Sequence, residues 1–571
     1  MHQFQCKSAE DIESAFCLCR QPKQIFLCFR VINVIQSRNK LTFEDEMKKL
    51  LVISIICFVL LSFIPLKNVL SKGQEADKAR EGEDALDKLL RRFGKDGEGL
   101  AKKIYIAIDK GVAWLLTQQK SDGHYELYNT SGQGKMFYPM GGTALPALAI
   151  KKSMMGLYEG DEKDLRREVK KLEKEDKKGK LDGYGKKRLE DLKKNGADEI
   201  KKRMKCQHSV DKSIEWLRAK YKVLIQQNGK VQFGAGVLNI DGRRTYGIGV
   251  TLMLLEAYYT KKIEKKKKTE VDVDKKHIKP ADLDWIREMV NWLADQQKAA
   301  NTTRNPQSNH KDGAWRYPGP AQDGSLVDNS NTQYAVLGLK AASRMGVHIK
   351  NPKVWEQVCE YYIRTQDPKG PKVKRNPPAQ DPKTGKYHFP ESYRKDPGFD
   401  YARGWGYLPK RDQHHPSTSA MTTSGLAALI TAKSELYTAK ILPKNKKLEE
   451  KIDKSINDGI AWLTHYFTVE GNIDKQKRGF GWDYYYLYGL ERVGVLAQLE
   501  FFGKHPWYIL GAKLLVSSQS RDGRWAAGNT PGDANNLADT AFALLFLKRA
   551  TTPVQVPLKV PRPEITGKAK R

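Results

Sequence analysis

The chain has 571 residues, 40% of them hydrophobic, with 100 Lys and Arg against 67 Asp and Glu, a formal net charge of +33. That composition supports a large core, and length alone does not fix the number of domains where repeats are present. The basic charge does not point to nucleic acid. Much of it sits in two segments, Asp161 to Lys205 and Lys261 to Lys279, where lysines alternate with acids instead of interleaving with aromatics on one surface. Solubility, or contact with an anionic membrane surface, accounts for it better.

Residues 1–46 read as a doubtful extension, because residues 47–71 have the layout of a secretory signal. Met47-Lys48-Lys49 is a basic start, residues 50–66 are uninterruptedly apolar, and Val69-Leu70-Ser71 is a small-residue exit. The rival reading is a single-pass membrane anchor, although the run is short of the about 20 residues a spanning helix needs. Either way the segment implies export to the periplasm or cell envelope, or anchoring at the membrane. Five of the seven cysteines precede residue 58, and the other two, Cys206 and Cys359, make no disulfide framework and have no metal-ligand spacing. Residues 72–103 are a polar linker with a leading helix near Ala85 to Phe93.

From Ile104 onward the periodicity predicts about six helix pairs. They span Ile104–Ser153, Ser209–Thr260, Leu283–Gly346, Pro352–Leu436, Leu448–Gly503 and Pro506–Ala550. Two charged inserts interrupt them. Residues 156–205 read as a solvated helical hairpin turning near Gly183 or Gly185, and residues 261–279 as a charged loop. The tail, residues 551–571, is basic, Pro-rich and expected to be disordered. In each pair the second helix is richer in Gly, Ala and Thr, which suits an inner layer where helices approach closely. Such pairs can stack as an open solenoid or close on themselves, and six favour an all-α, (α/α)6 toroid, a double ring of helices.

A phrase recurs within these pairs: aliphatic-Trp-Leu, then Gln, then Asp-Gly, then an aromatic. It reads KGVAWLLTQQKSDGHY at Lys110, VNWLADQQ with KDGAW between Val290 and Trp315, and LLVSSQSRDGRW at Leu514. Each copy precedes a small-residue apolar run, at Thr143, Thr332 and Asp539. Gln can satisfy open backbone groups at a helix end, Asp-Gly forms a turn, and Trp covers the next turn. The phrase is therefore scaffold.

Lys110-Gly111, Trp114, Gln118 and Gly123, with Tyr125 where Trp is usual, and then Gln519, Gly523 and Trp525, resemble the repeats of squalene–hopene cyclases and protein prenyltransferase β subunits. The resemblance covers Ile104 to Ala550 apart from the inserts, and implies a terpene-cyclase-like toroid. Those cyclases protonate substrate with an Asp in an Asp-x-Asp-Asp-Thr-Ala motif. The nearest segment here is Asn536-Leu537-Ala538-Asp539-Thr540-Ala541, which keeps only the last acid. Asp539 is thus a catalytic candidate or, more plainly, a helix N-cap.

Asp328, Asn331 and Thr332 open another inner helix and serve as caps or ligand contacts. With Thr143, Thr422 and Thr423 they ring one mouth of a central cavity, where helix N-termini favour a polar or anionic group. The fifth repeat departs most from the pattern. Trp482, Asp483, Tyr484, Tyr486, Tyr488, Glu491 and Arg492 offer a catalytic acid, Asp483, and a ligand-binding wall, with Tyr484, Tyr488 and Glu491 nearly sharing a face. His414 in the long fourth loop reaches toward the mouth. No metal site, cofactor motif or P-loop is recognisable.

The function expected is an exported toroid that binds a lipid or polyisoprenoid in its centre, with the incomplete acidic motif weighing against cyclase (isomerase or transferase) turnover. A non-catalytic envelope scaffold and a polysaccharide-active, lyase-like toroid acting on a glycan are the alternatives.

Overall fold

The structure is a computed structural model. It describes residues 89–90, 92–93, 97, 99–129, 136–137, 139–154, 162–181, 183–222, 244–265, 268–299, 313–316, 327–375, 379–380, 387–388, 398–409, 415–526, 536–554, 558 and 564–565. The extension, the signal or anchor segment and His414 lie outside these residues. Among those described, no helix is long and apolar enough to cross a membrane.

Thirteen helices are described: α1 (Leu100–Gln118), α2 (Pro139–Met154), α3 (Glu162–Asp176), α4 (Gly183–Leu217), α5 (Arg244–Tyr259), α6 (Pro280–Ala299), α7 (Asn329–Arg344), α8 (Lys353–Thr365), α9 (Ser419–Thr438), α10 (Lys446–His465), α11 (Asp483–Leu496), α12 (Trp507–Ser518) and α13 (Leu537–Leu547). Six of them form a closed inner ring. α2 packs on α5, α5 on α7, α7 on α9, α9 on α11, α11 on α13, and α13 returns to α2. The outer helices lie against this ring, with α1 between α13 and α2, α6 between α5 and α7, and α12 between α11 and α13. The chain is therefore the (α/α)6 toroid that its periodicity predicts.

Burial explains the layering. α9 and α13 are buried along almost their whole length, so they show no apolar stripe, whereas α8 and α10 alternate buried and exposed faces. Small residues let the inner helices touch. A Cβ added to Gly338 of α7 would stand 2.7 Å from the Gly249 Cα of α5.

The repeated phrase supplies the seams. Gln119 Nε2 donates to the Gly123 carbonyl and across to the Ser209 carbonyl of the next outer helix. Gln297 donates to Val354 O, Gln366 to Ser455 O and Gln519 to Ala107 O. The last of these joins repeat six to repeat one, 412 positions apart, and closes the ring. The glycine of the turn is required in two ways. Gly523 has φ +96°, and a Cβ there would lie 2.4 Å from the Lys110 carbonyl oxygen. The aromatic after the turn donates its backbone N–H to an inner-helix threonine: Tyr125 to Thr143, Trp315 to Thr332, Trp405 to Thr422 and Trp525 to Thr540.

The 405–422 pair reveals a fourth copy of the phrase. Gln366-Asp367 and Gly404-Trp405 are its halves, with short strands at Lys372–Lys374 and Phe399–Tyr401 paired between them.

Several expectations need correction. The charged insert is a helical hairpin of α3 and the first part of α4, and α4 continues without a break to Leu217, so no boundary exists at residue 205. Its Lys193–Glu173 pair is exposed and adds little. The loop at 261–279 is mainly an antiparallel ribbon, Thr260–Lys265 with Lys268–Val273, because Thr, Ile and Val within the lysines favour extended backbone. The leading segment is docked, with Leu89 and Leu90 buried and Phe93 5.6 Å from Phe501. The tail is ordered where it begins, since Thr551 to Val554 pack against the ring, and Glu564–Ile565 pairs with Ala379–Gln380. Cys206 and Cys359 are free, buried thiols, and burial pushes the Cys206 thiol up to about 11.

Candidate functional site: an aromatic lumen with a buried guanidinium

Aromatic side chains from four inner helices meet inside the ring. Tyr334 of α7 lies 4.8 Å from Tyr246 of α5 and 6.2 Å from Tyr485 of α11. Tyr485 and Tyr488 flank Phe542 of α13 at 5.7 and 5.9 Å. Since α9 separates α7 from α11 in the ring, the Tyr334–Tyr485 contact crosses the lumen.

Two of these residues share one register. Tyr334 and Phe542 stand two positions after the threonines that bind the turn aromatic, Thr332 and Thr540. That offset marks the lumen face. Sequence reading missed Tyr246, Tyr334, Tyr485 and Phe542, and aligning the inner helices on their threonines is the signal that finds two of them, Tyr334 and Phe542.

The lumen face of α11 is Tyr485, Tyr488 and Arg492, spaced as consecutive turns require. Tyr484 instead points toward Ser518 at the end of α12. Tyr486 donates to Thr468 O at 2.7 Å and fixes the preceding loop. Trp482 adopts a left-handed backbone, φ 60° and ψ 40°, before the helix. Glu491 lies beside the tail, accepting from Thr551 N at 3.1 Å and Thr551 Oγ1 at 2.6 Å. Burial raises its pKa to about 7, although both Thr551 bonds favour the carboxylate. The predicted face of Tyr484, Tyr488 and Glu491 is therefore not a single wall.

The candidate acids are placed as follows. Asp483 accepts from Asn472 N at 2.8 Å and holds the loop before α11. Asp539 is buried in the first turn of α13, three residues inside the Asn536 cap position, so it is not the N-cap. Asp328 is the N-cap of α7. It accepts from Asn331 N, Asn331 Nδ2 and Ser330 Oγ at 2.6–2.8 Å, and burial nevertheless holds its pKa above the usual range. Thr332 donates to Asp328 O and accepts from Trp315 N. The polar groups of this mouth thus serve mainly as caps and seams. Among the described residues no cluster could hold a metal ion.

At the other end of the ring, charges are matched by the tail. Arg344 pairs with Glu256 at 3.1 Å and donates to Thr552 O at 2.9 Å. Lys152 donates to Thr552 Oγ1 at 3.5 Å. Thr551 and Thr552 thereby bridge α2, α5, α7 and α11 across the mouth.

Arg492 is different. It is 1% exposed, and its Nε, Nη1 and Nη2 are all buried with no hydrogen-bond partner among the described residues. Its guanidinium lies 4.2 Å from the Tyr488 ring centre and 5.7 Å from that of Tyr334. Neither phenol makes a hydrogen bond to it, and the Tyr334 hydroxyl too has no hydrogen-bond partner among the described residues. A desolvated cation–π contact contributes about 2 kcal/mol. Burying an ion without a partner costs several kcal/mol, roughly, so the rings alone do not offset it.

No family model matches the chain, and no curated protein does. Among solved structures the chain is similar to a variant of type II terpene cyclase MstE from Scytonema in complex with geranylgeranyl dihydroxybenzoate, at 10% identity and TM-score 0.40, over 79% of this chain and 98% of that one. It is similar also to an unliganded MstE variant, at 11% identity and TM-score 0.39, and to one holding merosterolic acid A, at 10% identity and TM-score 0.39, each with the same coverage.

Proposed function

We propose that this chain is a binding toroid whose lumen holds a polyisoprenoid or comparable lipid chain, and that it does not cyclise it. The observation that carries this reading is the cluster of Tyr246, Tyr334, Tyr485, Tyr488 and Phe542, whose rings gather inside a closed helical ring. Such a surface favours a long apolar ligand over a glycan, which would need a dense set of free polar groups.

Binding without turnover follows from the acids. A protonating carboxyl must project toward the apolar chain. Asp328 is engaged by three donors and Asp483 by a backbone N–H, while the acidic motif around Asp539 has Asn536 and Ala538 where cyclases carry acids. Cleavage of an export signal that starts at Met47 belongs to the same proposal, and sequencing the mature N-terminus tests it: a chain that begins at Met1 and retains residues 50–66 would end it.

Native mass spectrometry of the purified chain tests the main reading. A co-purifying apolar species, lost in Tyr485→Ala, is the expected result. Turnover of squalene that Asp539→Asn abolishes would replace the binding reading with a cyclase, and depolymerisation of an acidic glycan would replace it with a lyase.

A further inference from the structure

We infer that the lumen ligand is an anionic amphiphile, with a carboxylate or phosphate headgroup seated on Arg492. The inference rests on the binding reading above and specifies the class of ligand.

Three observations carry it. The guanidinium is almost completely buried, yet none of its nitrogens has a partner among the described residues. Its position is inside the ring, because it lies over Tyr334 of α7 while belonging to α11. The nearby charges are already committed: Glu256 to Arg344, Glu491 to Thr551, and Lys152 to Thr552. Arg492 therefore remains a cation with no hydrogen-bonding partner among the described residues, in an aromatic site where the adjacent Glu491 is the nearby carboxylate and is held by Thr551. A guanidinium is always protonated and offers a planar fork, which matches the two oxygens of a carboxylate or phosphate. The unpartnered Tyr334 hydroxyl is a further donor beside it.

The same geometry orients the ligand. The tail segment Thr551–Thr552 crosses the ring at the C-terminal ends of the inner helices. Tyr485 is seven residues before Arg492 on α11, roughly 10 Å along the axis. The headgroup would thus be deep, with the apolar chain running past Tyr488, Phe542 and Tyr485 toward the opposite mouth.

The test measures binding to the purified full chain by competition with a fluorescent lipid probe. Three probes are compared: geranylgeraniol, geranylgeranyl phosphate and geranylgeranoic acid. The expected result is that at least one anion binds tenfold or more tighter than the alcohol, and that Arg492→Gln brings that anion to the level of the alcohol. Preference for the phosphate or the acid identifies the headgroup. Equal binding of all three by the wild type, or an anion preference that survives Arg492→Gln, overturns the inference while leaving the lipid reading intact. No binding by any of the three overturns both. Thermal midpoints without ligand separate a structural role: Arg492→Met should unfold no lower than wild type, since it removes an unpaired buried charge. A marked loss of stability in Arg492→Met, with unchanged ligand preference in Arg492→Gln, would make Arg492 a packing residue and defeat the proposal.

Discussion

Glu491 makes stability depend on pH in an unusual direction. Its pKa rises from 4.5 to about 7 on folding, with burial as the main cause and the Thr551 hydrogen bonds opposing it. Below pH 4.5 the carboxyl is protonated in both states and contributes no penalty. As pH rises from there toward 7, the unfolded chain releases the proton first, so native stability falls. Above about 7 the loss is constant. The difference between 4.5 and about 7 corresponds to roughly 3 kcal/mol. Glu491→Gln removes the titration, and its amide can still accept from Thr551 N. The variant should match wild type near pH 4.5 and exceed it by roughly 3 kcal/mol at pH 8. With an unfolding entropy of roughly 2 cal/mol/K per residue over Gly82–Arg571, that is about 3 °C in thermal midpoint. Scanning calorimetry of both proteins at pH 4.5, 6 and 8 measures it. A Gln variant less stable than wild type at pH 8, or a difference that does not grow with pH, would refute the reasoning.

The other predictions concern seams and caps. Gln519→Ala removes the donor that bonds Ala107 O and Gly523 O, and should cost about 1–3 kcal/mol in denaturant unfolding. Gly338→Ala drives a methyl against the Gly249 backbone and should cost about 1–3 kcal/mol, with the shift seen in thermal midpoint. Asp328→Ala deletes the cap of α7 and should cost about 1–2 kcal/mol, with faster hydrogen exchange in the first turn of that helix. A chain ending at Ala550 loses the Thr551 and Thr552 bonds, and exchange should accelerate at the C-terminal ends of α5, α7 and α11.

The ring was legible because its scaffold repeats in sequence. A Gln that clasps the next outer helix and an aromatic whose N–H meets a threonine recur with the same residue types, as at Gln519, although in the first copy the clasp is Gln119, one residue beyond the Gln118 matched in the sequence. The copy at Gln366 and Trp405 escaped because the residues between Asp367 and Gly404 separate its halves. The lumen was only partly legible. Tyr484, Tyr485 and Tyr486 follow one another on α11, each turned by about 100° from the last, and helix packing decides which one faces inward. With α11 buried on every side, no apolar stripe announces the answer. Arg492 was one of the ligand-wall residues read from the sequence, but only the surrounding elements show that its nitrogens have no hydrogen-bond partner among the described residues.

The bond from Gln519 to Ala107 has a consequence for how the molecule is made. During synthesis α1 emerges first, yet the helices that cover its far side, α12 and α13, emerge last. Until then the growing chain is an arc with two raw apolar ends, sticky toward each other and toward neighbouring chains. Closure joins the most distant contacts in the sequence and should be the slow, late event of folding. A ribosome stalled before α12 would leave a fragment that has most of its helices and no way to finish, and the cell would have to shelter or destroy it.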